Sequence, residues 1–147
     1  MSLVSGKDVL IKFYDATVSD YVVVGCGRSV TFEISREMVE TSITSGGTFK
    51  TWVPGAAEVS GTIEGFVFLQ DTITDKLDMG RLYDLIYDGT RISITYYETD
   101  QSGNYYLQKD LLGYITSINE TASFDNINTF SLSFKGTSSP NISYGEI

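Results

Sequence analysis

Residues 30–64 read VTFEISREMVETSITSGGTFKTWVPGAAEVSGTIE, and the fold turns on the middle of this run. Its flanks alternate. Val30, Phe32 and Ile34 are interleaved with Thr31, Glu33 and Ser35; Val59, Gly61 and Ile63 are interleaved with Ser60, Thr62 and Glu64. A period of two marks a β-strand with one buried face. Between the flanks, Arg36 to Glu58 has no apolar periodicity able to build a core of its own. An insertion of 23 residues in a chain of 147 is long for a compact domain, and such insertions usually carry function.

Within it, Gly46-Gly47 permits a tight tip and Pro54-Gly55 a second sharp turn, with Phe49, Trp52 and Val53 as apolar anchors between them. In one reading the arm folds back and Trp52 completes the subunit's own core. In the other it reaches a neighbouring subunit. The second is favoured, because the insertion spans more than about 40 Å if extended, far beyond what a local turn needs. Thr41, Ile43, Phe49, Trp52, Val53 and Pro54 are the expected interface residues.

Working outward, Val9, Ile11 and Phe13 alternate with Leu10, Lys12 and Tyr14 as a first strand, and Tyr21–Val24 forms a second. After Glu64, Phe66-Val67-Phe68-Leu69 is apolar on both sides and is expected to be buried on both. Lys76–Tyr87 is the one convincing helix. Met79, Leu82, Tyr83 and Ile86 recur at three and four residues, Asp75 suits an N-cap, and Gly89 suits a left-handed stop. Ile92, Ile94 and Tyr96 begin the last third, and Thr99 to Gly103 supplies a hairpin turn. Tyr105 to Leu111 and Phe130 to Phe134 form strands, and Tyr114 to Ile118 continues a strand or begins one after Gly113. Residues 138–147 lack such a pattern and are expected as a loosely held tail. The order of elements predicts a single, mainly β domain over 1–147. Its architecture is an antiparallel β-sandwich or small β-barrel with a flanking helix and the long arm Arg36–Glu58.

The 19 acidic and 10 basic side chains give a net charge of −9, shared by both halves of the chain. That balance argues against a protein that wraps nucleic acid, which needs clustered Lys and Arg. It is compatible with a channel through which DNA slides without sticking. One cysteine, Cys26, and no histidine leave no intrachain disulfide and none of the usual zinc sites. No apolar run reaches the length of a membrane-spanning helix, and the first residues lack the form of a secretory signal.

Enzyme motifs are scarce. Gly25-Cys26-Gly27-Arg28 follows a strand but matches no phosphate-loop pattern, and Ser29 to Ile34 continues as strand where a helix should begin. A turn or bulge is the better reading. Asp84 and Asp88, one helical turn apart, have no third acid or histidine in local spacing, so they read as a solvated helix face. Cys26 has no histidine to activate it. No catalytic residue, metal or cofactor is assigned.

Five segments in order, LVSGKDVLIKF (3–13), SVTFEISREMVETS (29–42), GGTFKTWVPGAAEVSGTIEG (46–65), LYDLIYDGTRISITYY (82–97) and GYITSINETASFDNINTFSLSFKGT (113–137), resemble the major tail tube proteins of long-tailed bacteriophages and prophages. The resemblance runs over nearly the whole chain. It implies a virion tail protein, made in the host bacterial cytoplasm, whose hexameric rings stack into a hollow tube for genome ejection. It further implies that an extended loop at the position of Thr41 to Ala56 contacts subunits of the same and the next ring. The partners it implies are copies of the chain, the tail terminator, tape measure and distal tail proteins, and DNA in transient passage. Similar folds serve contractile tails, tailocins and type VI secretion, and a tube of that kind is one alternative. A monomeric β-sandwich that binds carbohydrate or protein is another.

On the tube reading, acidic and small hydroxyl side chains are expected to line the bore. Glu58, Ser60, Thr62, Glu64, Ser93, Thr95 and Tyr97 are the candidates, with the run Gly103 to Gly113 as an alternative source. Negative charge there repels DNA phosphates.

Overall fold

The structure, a computed structural model, describes residues 3–4, 9–15, 20–24, 26–41, 50–67, 69, 76–77, 79–122 and 124–147. The strands are β1 (Val9–Asp15), β2 (Asp20–Val24), β3 (Cys26–Glu40), β4 (Trp52–Phe66), β5 (Lys76–Leu77), β6 (Ile92–Thr99), β7 (Tyr105–Thr121), β8 (Thr129–Gly136) and β9 (Asn141–Glu146). One helix, α1 (Met79–Tyr87), occurs among the described residues.

Hydrogen-bonded neighbours follow the path β3-β4-β8-β7-β6-β1-β2-β5, with β9 also beside β7. β7 divides that path, because its residues 106–113 pair with β6 and its residues 113–121 pair with β8. One sheet is therefore β3-β4-β8 with the second half of β7. The other runs β9, the first half of β7, β6, β1, β2 and β5. Their inner faces meet: the rings of Phe13 and Phe134 touch edge to face with centroids 6.3 Å apart, and Phe32 lies 5.3 Å from Tyr96. Of the two expected architectures the sandwich is found, because the path does not close on itself as a barrel.

The core follows the period-two pattern. Ile11, Phe13, Val59, Ile63, Ile92, Ile94, Leu132 and Phe134 are buried, as expected from their alternation. Gly61 sits under Phe134; a Cβ there would stand 2.3 Å from the ring, so the absent side chain is what lets the phenyl lie flat on β4. At the rim, Lys109 shares a face with Tyr96. Its ammonium lies 4.8 Å from the Phe32 ring centre and 4.7 Å from that of Tyr96, and it reaches Glu98 at 2.9 Å. Burial, and secondarily the Glu98 carboxylate, pushes the Tyr96 hydroxyl above its usual pKa.

The helix begins at Met79, later than expected, because Lys76–Leu77 pairs with Val23–Val24 as a short parallel strand. Met79, Leu82 and Leu85 face the core. Gly89 ends the helix at φ 63°, with Thr90 N donating to Leu85 O and Gly89 N donating to Ile86 O. Asp75, the expected N-cap, lies outside the described residues. In the hairpin turn, the buried Asp100 carboxylate accepts the amides of Asn104 and Tyr105 and the hydroxyl of Ser102.

Two expectations need correction and one alternative is settled. Phe66 and Leu69 are 39% and 77% exposed rather than buried; Phe66, paired on both sides, follows Thr62 and Glu64 onto the outer face of β4, and Leu69 lies past the strand's end. Of the two readings of Tyr114 to Ile118, continuing a strand or beginning one, the first is found: β7 is continuous, and a bulge between Ile115 and Ser117 places Ile115 and Ile118 opposite Phe134 and Leu132 on the same inner face. The run 138–147, read as a patternless tail, contains β9, which pairs with Tyr105–Asp110. Its backbone is held while Ile142 and Tyr144 remain exposed, so no burial pattern marks it.

Candidate assembly surfaces

β3 and β4 leave the sandwich together. Their register runs from Cys26 opposite Phe66 to Glu40 opposite Trp52, with an irregularity between Arg36 and Met38. Beyond Ile34 and Val59 no side chain of the pair is buried. What the sequence presents as an insertion without periodicity is thus a two-stranded ribbon for much of its length, a correction whose cause is pairing without burial. Arg36 donates to Gly55 O at 2.9 Å across the irregularity, and Thr41 N donates to Thr51 O at 2.8 Å near the outer end.

The ribbon carries apolar side chains that its own subunit leaves uncovered. Trp52 is 50% exposed and Val53 44%, with Pro54 exposed beside them. Thr41 is exposed next to this group, whereas Ile43 and Phe49 lie outside the described residues. Sequence reasoning missed Met38 and Val39, exposed at 50% and 44% and paired with Pro54 and Val53. The only signal was that Met38 and Val39 are apolar residues in a segment without a core of its own, as Trp52 and Val53 are.

The first sheet has two open borders. Among the described residues, β3 has no neighbour beyond it, and on the β6 side residues 114–121 of β7 have no strand partner. Such borders are templates for pairing with another chain. The second sheet differs, since β9 occupies one side of β7 and β5 lies beyond β2.

The residues expected to line a bore fall into two groups on opposite outer faces of the sandwich. Glu58, Ser60, Thr62 and Glu64 alternate with the buried Val59, Gly61 and Ile63, so they share the outer face of the first sheet. There Ser60, Thr62 and Glu64 stand opposite Lys135, Ser133 and Ser131 of β8, and Ser29 donates to Glu64 at 3.3 Å. Ser93, Thr95 and Tyr97 lie on the outer face of the second sheet. Ser93 is hydrogen-bonded to Tyr21 at 2.8 Å, Thr95 donates to Asp110 at 2.8 Å, and Tyr97 stacks on Tyr106. The structure does not bring the two groups together.

No group of His, Cys, Asp or Glu able to hold a metal occurs among the described residues, and Asp84 and Asp88 are exposed on α1. At the former phosphate-loop candidate, the β3–β4 register shifts between Gly27 and Ser29, which is a bulge. Among the described residues no helix is long and apolar enough to cross a membrane.

An open-bordered sheet with a projecting ribbon is suited to contact with further chains. Residues 3–141 match the phage tail tube protein family, and the chain belongs to it: it is a structural subunit of a virion tail. A comparison with curated proteins gave no match. Among solved structures, the fold is similar to the tail of an empty gene transfer agent particle with C6 symmetry, at 22% identity and a TM-score of 0.74, over 95% of this chain and 98% of that one. It is also similar to the SPP1 tail tube, at 15% identity and a TM-score of 0.69, over 98% and 80%. A chain of the anti-feeding prophage baseplate shares the fold at 7% identity and a TM-score of 0.66, over 93% and 91%.

Proposed function

We propose that this tail tube subunit closes into six-membered rings through the two open borders of its first sheet, and that the rings stack into a conduit for DNA. The observation that carries the reading is the strand arithmetic of that sheet. Its four strands alternate in direction, so β3 and the second half of β7 run oppositely. Identically oriented copies placed side by side would then continue the antiparallel ladder without any strand reversing. Each junction would add backbone hydrogen bonds, each worth about 0.5–1.5 kcal/mol net, and closure would remove the exposed borders. Six is the symmetry of the gene transfer agent tail and comes to this chain by likeness of fold.

In such a ring the outer face of the first sheet becomes the bore wall. Glu58, Ser60, Thr62 and Glu64 would line it, joined by Glu33 opposite Ser60, while Ser93, Thr95 and Tyr97 would face away. Lys135 shares the wall as a cation among these three carboxylates, and Lys109 is held inward on Glu98. The net charge of the wall repels phosphates, so DNA passes without adhering. Trp52, Val53 and Pro54, with Thr41 and the neighbouring Ile43 and Phe49, serve contacts between subunits. Tail terminator, tape measure and distal tail proteins are the partners expected at the ends and within the tube, and synthesis in the bacterial cytoplasm precedes assembly. The likeness to the anti-feeding prophage baseplate is one of fold and gives a contractile tube no residue of its own.

Negative-stain microscopy of the purified protein across a concentration series tests this. Rings with a central hole, growing into tubes, are expected. Solitary particles up to millimolar protein would refute it.

A further inference from the structure

The outer face of the second sheet carries a hollow that the tube chemistry described above does not use. Lys12, Tyr21, Thr95, Gln108 and Asp110 line a cavity of about 460 Å³ there, within the size range of small-molecule sites. Strand register builds it. Lys12 stands beside Thr95 and Thr95 beside Asp110, so β1, β6 and β7 each give one side chain to a single row. Gln108 belongs to the next row, opposite Tyr97. Tyr21 forms one wall. It pairs with Tyr14, the two rings meet edge to face with centroids 5.4 Å apart, and its hydroxyl is hydrogen-bonded to Ser93 at 2.8 Å. Held from two sides, the Tyr21 ring is still 41% exposed.

The two charges of the hollow are placed but not joined. The Asp110 carboxylate accepts the Thr95 hydroxyl at 2.8 Å and the Gln108 amide at 2.9 Å and 3.1 Å, which fixes its orientation and leaves acceptor capacity over. Lys12, half-buried on the same face, has no hydrogen bond or ion pair among the described residues. Two strand spacings of ~4.8 Å separate the strands that carry them. A single small ion does not reach both groups, whereas a ring bearing several hydroxyls does.

We propose that this hollow binds a pyranose unit of a neutral glycan, with Asp110 accepting from its hydroxyls, Lys12 donating to one, and the Tyr21 ring lying against its apolar C–H face. Charge selects the ligand. One ammonium and one carboxylate cancel within a chain of net charge −9, so the site attracts no polyanion, and a neutral polyol satisfies donor and acceptor together. The amphipathic tyrosine ring suits a ligand that is polar at its edge and apolar on its face. Position gives the site its use. On the ring reading the outer face of the first sheet is the bore wall, so this opposite face is the exterior of the tube. Every subunit then displays one weak site on a rigid body, and many such sites acting together hold a polysaccharide firmly. The display rests on the ring reading; the site itself belongs to the single subunit.

A magnetic resonance titration of the dilute subunit with glucose, galactose and N-acetylglucosamine, each up to about 100 mM because a single-sugar site is weak, tests the site. At least one of these sugars is expected to move the amide signals of Thr95, Gln108 and Asp110 saturably, with open-chain sorbitol and sulfate moving them little. No saturable shift from any sugar, or equal shifts from sorbitol or sulfate, would overturn the proposal. Lys12→Met removes a donor that has no partner in the described subunit, so the melting temperature should hold while the dissociation constant rises about tenfold. Tyr21→Leu is the second variant, expected to weaken binding by a similar factor. Wild-type affinity in both would place the sugar elsewhere and contradict the assignment. Assembled tubes should be retained on beads carrying the sugar that binds and be released by free sugar, while dilute subunits pass through. Tubes that also pass through would refute the display. Failure of the protein to form tubes would overturn the ring reading and the display with it, an outcome that the titration of subunits does not share.

Discussion

The inner and outer halves of the β3–β4 pair are continuous in backbone yet opposite in energetics. Inside the sandwich, Val59, Gly61 and Ile63 are buried, with Gly61 and Ile63 beside Phe134 and Leu132 on the inner face that β4 and β8 share. Past Val59 the same two strands keep their pairing but bury no side chain, and Met38, Val39, Trp52 and Val53 are left half exposed. Apolar area removed from water is what stabilises a fold. The inner half therefore holds the subunit together, while the outer half leaves its apolar surface uncovered in the single subunit. On the function proposed above, position along one ribbon, rather than residue type, separates folding from assembly.

The strongest way to break the contrast is Phe134→Ala. Truncating this fully buried ring should cost about 3–5 kcal/mol in chemical denaturation, with assembly lost because the subunit unfolds. Paired glycine substitutions sharpen the comparison. Gly61→Ala would set a Cβ 2.3 Å from the Phe134 ring and 2.7 Å from Thr31 O, and is expected to cost about 1–3 kcal/mol. Gly55→Ala, in the arm, meets Glu37 O at 3.2 Å and should cost clearly less in the same measurement.

Trp52→Ala is the converse experiment. Stability by denaturation should stay within about 0.5 kcal/mol of wild type, while tube growth seen by electron microscopy fails. Loss of the fold would show that the arm belongs to the core. The smallest effect is expected from alkali. Tyr96 lies in the body with its pKa raised above the usual 10.0, so the neutral phenol is favoured in the folded state. Its contribution is present below pH about 10 and is lost as pH rises through the shifted value. Tyr96→Phe should flatten part of the fall in melting temperature above pH about 10. The arm sequence 36–58 contains no tyrosine to respond in this way.

The sandwich was legible because its inner halves obey the period of two, as Val30 and Phe32 or Ile92, Ile94 and Tyr96 show. The chain lost that legibility wherever pairing and burial separate. β9 and the ribbon are held by backbone hydrogen bonds that leave no apolar alternation, and the bulge after Ile115 flips the parity on which the alternation depends. Among the candidate surfaces, Trp52, Val53 and Pro54 stood out as apolar residues in a segment with no core. That Glu58–Glu64 and Ser93–Tyr97 lie on opposite faces follows from the long path through β7, a non-local fact that no local pattern carries.

Backbone amide hydrogen exchange, compared residue by residue between dilute subunits and assembled protein, tests the division most directly. The account expects amides of the buried strands, such as Ile63 and Leu132, to be protected in both states. The alternate amides of β3 and of 114–121 of β7 that point away from β4 and β8 should exchange fast in the subunit and become protected only on assembly. Borders that are already slow in the dilute subunit, or that stay fast in the tube, would contradict it.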